Sequence, residues 1–242
     1  MSDASRDAGR REKRAAALAA VREVEDGMLV GLGTGTTAAF AIREIARRVA
    51  DGLRIEAVAT SRASEAMARD AGIMVIPFDD VRHVDLAIDG VDEIDDALRA
   101  IKGAGGAMLR EKIVATASLR MIVVADGSKK VVRIGKAKLP VEILPFARAF
   151  VADRLASAGG AVALRHGADG APYHTDQGNL VLDCAFPAMA DPAALAVRIS
   201  AIPGVLGHGL FLDEIDALYL AEGERVTRLE RPGGKPAHPM RF

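Results

Sequence analysis

The 242-residue chain has one cysteine, no tryptophan and 4% aromatic residues. A lone thiol, Cys184, cannot close an intramolecular disulfide, so the core must hold the fold, and a reducing compartment is expected. Its neighbours Leu180, Val181, Leu182, Ala185 and Phe186 are apolar, which marks a small buried hydrophobe rather than a nucleophile. Charge of one sign is also missing: 32 basic residues stand against 33 acidic ones, a formal net charge of −1. The electrostatic case for a nucleic-acid partner falls with it, and any anionic ligand must be held locally. The five histidines are scattered without ligand spacing such as HExxH, so neither a metal nor a cofactor is expected. No apolar run approaches the roughly 18 residues that span a bilayer. Residues 1–14 mix both charge signs and lack the apolar region of a secretory signal. A cytoplasmic protein with no membrane partner is the expectation.

What is present is half hydrophobic and falls into alternating periods. Helical spacing predicts a helix over 12–24, stopped by Asp26-Gly27, and a buried strand over 28–32 follows. A helix over 37–50, a strand over 53–59, a helix over 63–71, strands over 73–77 and 84–88, a helix over 107–116 and a strand over 121–125 continue the series. Strands alternating with helices predict an α/β fold, a doubly wound, mostly parallel, Rossmann-like sheet. The rhythm changes after Lys138 to strand (140–144), helix (146–158), strand (161–165), strand (179–184), helix (192–202) and strand (205–211). That order is the split βαβ of a ferredoxin-like α+β unit. It predicts a smaller domain over 136–211 inserted into a catalytic domain made of 1–135 and 212–242, with 217–221 returning to the larger sheet. Residues 225–242, rich in Pro and Gly without an apolar period, are expected to form a mobile tail.

Three loops carry the chemistry. The string GLGTGTT (31–37) sits where a strand ends and a helix begins, so exposed amides and the hydroxyls of Thr34, Thr36 and Thr37 around Gly35 can hold an anion. Its spacing is not GxGxxG, no acid ends the next strand near Ala59, and no GK[ST] follows, which disfavours dinucleotide and P-loop sites. DGVDEID (89–95) begins with Asp89 at the carboxyl end of a buried strand, where open α/β sheets bind ligands. Burial beside other carboxylates is expected to ready Asp89 for proton transfer, with Asp92 facing the same pocket. Asp95 and Asp96 read as solvated turn formers. KGAGGAMLREK (102–112) supplies Lys102 for a developing oxyanion beside a second helix start. Glu111, taken alone, reads as a solvated glutamate between Arg110 and Lys112. Asp126 to Lys129 would put Lys129 at the same sheet edge.

With these strings in place the chain resembles the type A ribose-5-phosphate isomerase family. The further matches are the Thr60-Ser61 step, ADGSK (125–129), LPVEILPFA (139–147), GNLVLD (178–183) and IPGVLGHGLF (202–211), in order over about nine tenths of the chain. The resemblance implies metal-free interconversion of ribose 5-phosphate and ribulose 5-phosphate through an enediolate. It makes Glu111 the base that moves the proton between C1 and C2, with Asp89, Asp92 and Lys102 assisting ring opening, proton traffic and charge stabilisation. Substrate contacts are implied for Thr34, Gly35, Thr36, Thr37, Asp89, Gly90, Val91, Asp92, Lys102, Gly103, Ala104, Gly105 and Lys129, with Lys13 a further phosphate partner. A homodimer is implied too. Ala104 stands where the family commonly has glycine, which requires φ below zero there; Val91 and Thr36 are milder departures. Rival readings are a sugar-phosphate deaminase using His83, a coenzyme A transferase, and a non-catalytic sugar-phosphate sensor. About 26 residues before the first strand are too few for the DNA-binding module that a sensor would carry.

Overall fold

The computed structural model describes residues 3–186 and 189–231. In chain order the first part runs α1 (Asp3–Val21), β1 (Leu29–Leu32), α2 (Ala38–Ala50), β2 (Glu56–Ala59), α3 (Arg62–Asp70), β3 (Val84–Gly90), β4 (Glu93–Ile94), β5 (Ala100–Ile101), α4 (Met108–Ala117) and β6 (Ser118–Asp126). A second series follows: β7 (Leu139–Ile143), α5 (Arg148–Ser157), β8 (Ala161–Leu164), β9 (Leu180–Ala185), α6 (Pro192–Ser200) and β10 (Val205–His208). The chain closes with β11 (Leu210–Phe211), β12 (Ala217–Glu222) and β13 (Arg225–Glu230).

Runs such as Val84 to Ile88 and Met121 to Ala125 lack polar alternation because their strands are covered on both faces. The main sheet has the order β13-β12-β6-β3-β1-β2, parallel throughout except for β13, which pairs antiparallel with β12. On one face α1 and α2 bury Ala16, Ala20, Ile42 and Ile45 against Val30, Ile88 and Ile122. On the other, Val114 and Ala115 of α4 pack with Phe211 against Ala87, Met121 and Val123. The order of the five parallel strands reverses between β1 and β3, and the crevice beyond the carboxyl ends of such strands is where doubly wound sheets hold ligands.

The second series forms its own antiparallel sheet, β10-β7-β9-β8, with α5 and α6 burying Val151, Leu155, Leu195 and Ile199 on its third core. This is the expected βαββαβ unit. A three-stranded sheet, β11-β5-β4, joins the two parts; the expected 205–211 strand divides at Gly209 between it and the smaller sheet.

Other expectations need correction. The first helix begins at Asp3 rather than residue 12. Segment 73–77 contributes only an isolated bridge, Val75 to Ala57. The supposed mobile tail is ordered through β13, whose six residues pair fully with β12, and Arg231 donates to the carbonyls of Ile215, Ala97 and Leu98; 232–242 lie outside the described residues. Asp95 is a turn former but a buried one, accepting the amides of Ala97 and Arg99 and pairing with the Arg99 guanidinium. Among the described residues no helix is long and apolar enough to cross a membrane.

Candidate active site

Asp89 closes β3 and packs against the loop that leaves β1. A Cβ at Gly33 would stand 2.1 Å from Asp89 Oδ1, so only glycine lets the two strand ends approach this closely. Asp89 Oδ1 accepts the amides of Thr34 (2.9 Å) and Gly90 (2.7 Å). Beyond β5 the chain turns through Gly103 (φ 96°) and Gly106 (φ 81°), placing Lys102 and the first turn of α4 beside it. Ala104 does not take positive φ, so the departure from glycine is tolerated as expected.

Three ionisable side chains converge there, each under 5% exposed: Asp89, Lys102 and Glu111. Lys102 Nζ lies 2.9 Å from Asp89 Oδ2 and 3.3 Å from Glu111 Oε2 and donates to the Gly90 carbonyl. Neither carboxylate oxygen receives a well-aligned hydrogen bond, so the charges are paired while Oδ2 and Oε2 remain able to accept. Burial pushes the Glu111 carboxyl up, to about 8; the Lys102 charge offsets part of that and the Asp89 charge adds to it. Burial alone would lower the Lys102 ammonium, but Asp89 and Glu111 outweigh it and raise its pKa above the ordinary value. The solvated-glutamate reading of Glu111 is therefore overturned. Glu111 is the buried acid whose carboxyl is pushed up, while Asp89 accepts two amide donors and pairs with the lysine.

A cavity of about 110 Å³ opens from this cluster. Its walls are Thr34 to Thr37, then Gly90, Val91 and Asp92, then Lys102 to Gly105, with Glu111, Lys13 and Lys129 completing it. Every expected site residue except Asp89 lines it, and Asp89 sits directly behind through Lys102. The amides of Gly35, Thr36 and Thr37 donate to no group among the described residues and precede α2, where the helix dipole favours an anion. Lys129 and Lys13 add positive charge, Lys13 lying 3.8 Å from Asp126. Thr34 lines the cavity while its hydroxyl is shared with Thr60 (2.7 Å), Ser61 (2.9 Å) and Ser64 (3.3 Å), a cluster that fixes the loop. Asp92 Oδ2 accepts the Ala104 amide at 2.9 Å, tying the two walls together. Two further participants, Arg165 and Tyr173, come from the α+β unit and reach the 103–105 carbonyls; some 60 residues separate them from that loop in sequence, and no local pattern announced them. A larger groove of about 520 Å³ between α1 and α2 holds Arg10, Arg14, Arg43, Arg47 and Glu44; size favours it, but it lacks any buried acid–lysine cluster.

The fold is a doubly wound α/β one, with a buried carboxylate–lysine cluster beside the open amides of a helix start. Residues 56–225 match the family model described as ribose 5-phosphate isomerase A (phosphoriboisomerase A). The chain is 54% identical over 215 residues to ribose-5-phosphate isomerase A of Sphingopyxis alaskensis, covering 89% of this chain and 94% of that one. It is 49% identical to the protein of the same name from Roseiflexus sp., covering 92% and 97%. Among solved structures, ribose 5-phosphate isomerase A of Methanocaldococcus jannaschii superposes with a TM-score of 0.87 at 36% identity, covering 91% of this chain and 98% of that one. A D-ribose-5-phosphate isomerase in complex with phospho-erythronic acid gives 0.88 at 34% identity, with the same coverages. The chain belongs to the ribose 5-phosphate isomerase A family. His83, which a deaminase would have needed near the acids, is exposed.

Proposed function

We propose that Glu111 is the base of an aldose–ketose isomerisation in which its ionised carboxylate takes the proton from C2 of open-chain ribose 5-phosphate. The C–H electron pair forms the C1–C2 double bond as the C1=O1 π pair moves onto O1, giving an enediolate that is then protonated at O1. Glu111 then returns its proton to C1 as O2 loses one, giving ribulose 5-phosphate with no net oxidant or reductant. The chain catalyses this interconversion, as its family membership indicates; the assignment of parts is our reading. One observation carries it: Glu111 Oε2, buried and without a hydrogen-bond donor, sits 3.3 Å from an ammonium able to stabilise charge developing on the neighbouring oxygens.

Asp89 and Asp92 relay protons to the sugar oxygens and assist ring opening. The 35–37 amides, Lys129 and Lys13 hold the phosphate, and Val91, Gly103 and Ala104 contact the sugar. Phospho-erythronic acid, the ligand of the solved relative, is a phosphorylated hydroxy acid whose planar carboxylate resembles an enediolate, which supports a site for that class of molecule. We further infer one catalytic domain from 1–135 and 212–242, an inserted domain over 136–211, a homodimer and a cytoplasmic location. Exposed Leu144, Phe146 and Phe150 support self-association, and the single buried thiol is suited to a reducing compartment.

The test is incubation with ribose 5-phosphate in excess chelator, following ketose formation, for the wild type and Glu111→Gln. The wild type should be active, and the variant should fold, bind substrate and lose about 10²- to 10⁴-fold in rate. Near-normal turnover in Glu111→Gln would transfer the base to Asp89.

A further inference from the structure

Arg165 follows β8 in the α+β unit and is held by Asp183 of β9: Nε donates to Oδ2 at 2.9 Å and Nη2 to Oδ1. The remaining nitrogen, Nη1, crosses to the 103–105 loop and donates to the carbonyls of Gly103 (3.1 Å) and Ala104 (3.0 Å). Tyr173 extends the contact. Its backbone amide donates to the Arg165 carbonyl, its ring lies 5.8 Å from the guanidinium, and its hydroxyl donates to the Gly105 carbonyl at 3.3 Å. Three consecutive carbonyls of a cavity wall are thus drawn toward the second unit.

In a trans peptide the N–H points opposite to the carbonyl before it. Drawing the Ala104 carbonyl to Arg165 therefore turns the Gly105 N–H the other way, and Gly105 lines the cavity. The adjacent donors are already engaged, Ala104 N–H by Asp92 and Gly106 N–H by the Gly103 carbonyl. The Gly105 N–H donates to no group among the described residues.

We propose that Arg165, fixed by Asp183, is a positioning residue for the isomerisation: through the Ala104 carbonyl it aims the Gly105 N–H at the sugar oxygen that becomes negative in the transition state. The inference rests on the isomerase reading above. A planar guanidinium suits the task because it binds a carboxylate with one edge and spans two carbonyls with another, which an ammonium cannot reproduce. Arg165 touches no reacting atom.

The experiment compares wild type, Arg165→Ala, Arg165→Lys and Asp183→Asn for kcat and KM on ribose 5-phosphate, for competitive inhibition by inorganic phosphate, and for recovery of Arg165→Ala by millimolar guanidinium. Loss of one aimed donor is expected to lower kcat in Arg165→Ala on the order of tenfold to a hundredfold. The phosphate inhibition constant should stay within about twofold, because the phosphate cradle belongs to the β1 loop and Lys129. Guanidinium should restore part of kcat, and Arg165→Lys should not. If Arg165→Ala fails to fold, Asp183→Asn, nearly isosteric, must show the same split. Unchanged kcat in an active wild-type background overturns the inference alone, as does a kcat loss that tracks lost phosphate binding and resists guanidinium. A wild type that leaves ribose 5-phosphate untouched overturns the isomerase reading as well.

Discussion

At the residue scale the site turns on how burial divides two acids that the sequence sets 22 positions apart. Asp89 was legible as a site residue because it ends an apolar strand, yet Glu111, between Arg110 and Lys112, looks like an ordinary surface glutamate. Only the packing of α4 against β3 reveals that it faces inward, and only the resemblance to a known family had pointed there. Because kcat/KM reports the free enzyme's ionisations, and Glu111 must be ionised to act, a folded pKa raised to about 8 has a signed consequence. The rate constant should climb through a midpoint near pH 8 and level off about one unit above it. An ascending limb centred in the ordinary carboxylate range, below about pH 5, would contradict the assignment. Lys129 is tested separately: charge-assisted bonds to phosphate are worth roughly 1.5–3 kcal/mol, so Lys129→Ala should lower kcat/KM on ribose 5-phosphate tenfold or more. Equal turnover of free ribose and its phosphate by the wild type would remove the phosphate from the argument.

At the element scale the edge strand β13 decides what can be cut. It pairs with β12 along Ala217 to Glu222 and keeps β12 from becoming an open edge, the configuration that invites aggregation. A chain ending at Glu224 should therefore melt several degrees lower and aggregate on heating, whereas one ending at Arg231 should match the full-length protein; thermal unfolding followed by light scattering checks both. The sequence reading had placed a mobile tail here because Arg225, Arg228 and Glu230 dilute the short alternation of Val226, Thr227 and Leu229. Val226 and Leu229 pack on opposite faces of the sheet, a pattern too short to stand out beside the Pro and Gly that follow. Long, two-sided strands such as β3 and β6 were readable because Leu86 to Ile88 and Met121 to Ala125 are unbroken apolar runs. The two-residue strands β4 and β5 were not, since two residues carry no period, and the 73–77 segment had a strand's composition but pairs with β2 only at Ala57.

At the scale of the whole molecule two units meet at one cavity, the larger lining it with Glu111, Lys102 and the 34–37 loop, the smaller holding the 103–105 loop. The α+β unit also presents Phe146, wholly exposed, beside Leu144 and Phe150, an apolar group that commonly marks an interface. Sedimentation should give twice the chain mass, and Phe146→Asp should shift the protein toward the monomer; a wild type that sediments as a single chain would end the dimer proposal. The strand order has one more outcome, which concerns how the protein is made. Until β12 arrives, β6 is the open margin of a four-stranded parallel sheet, and about 90 residues separate the two strands. At ribosomal speeds of roughly 5–20 residues per second that margin stands open for about 5–20 s, during which Met121 to Ala125 can pair with any passing strand. The inserted unit is synthesised within the same interval, so the larger sheet cannot be completed until the whole of the smaller unit has been made.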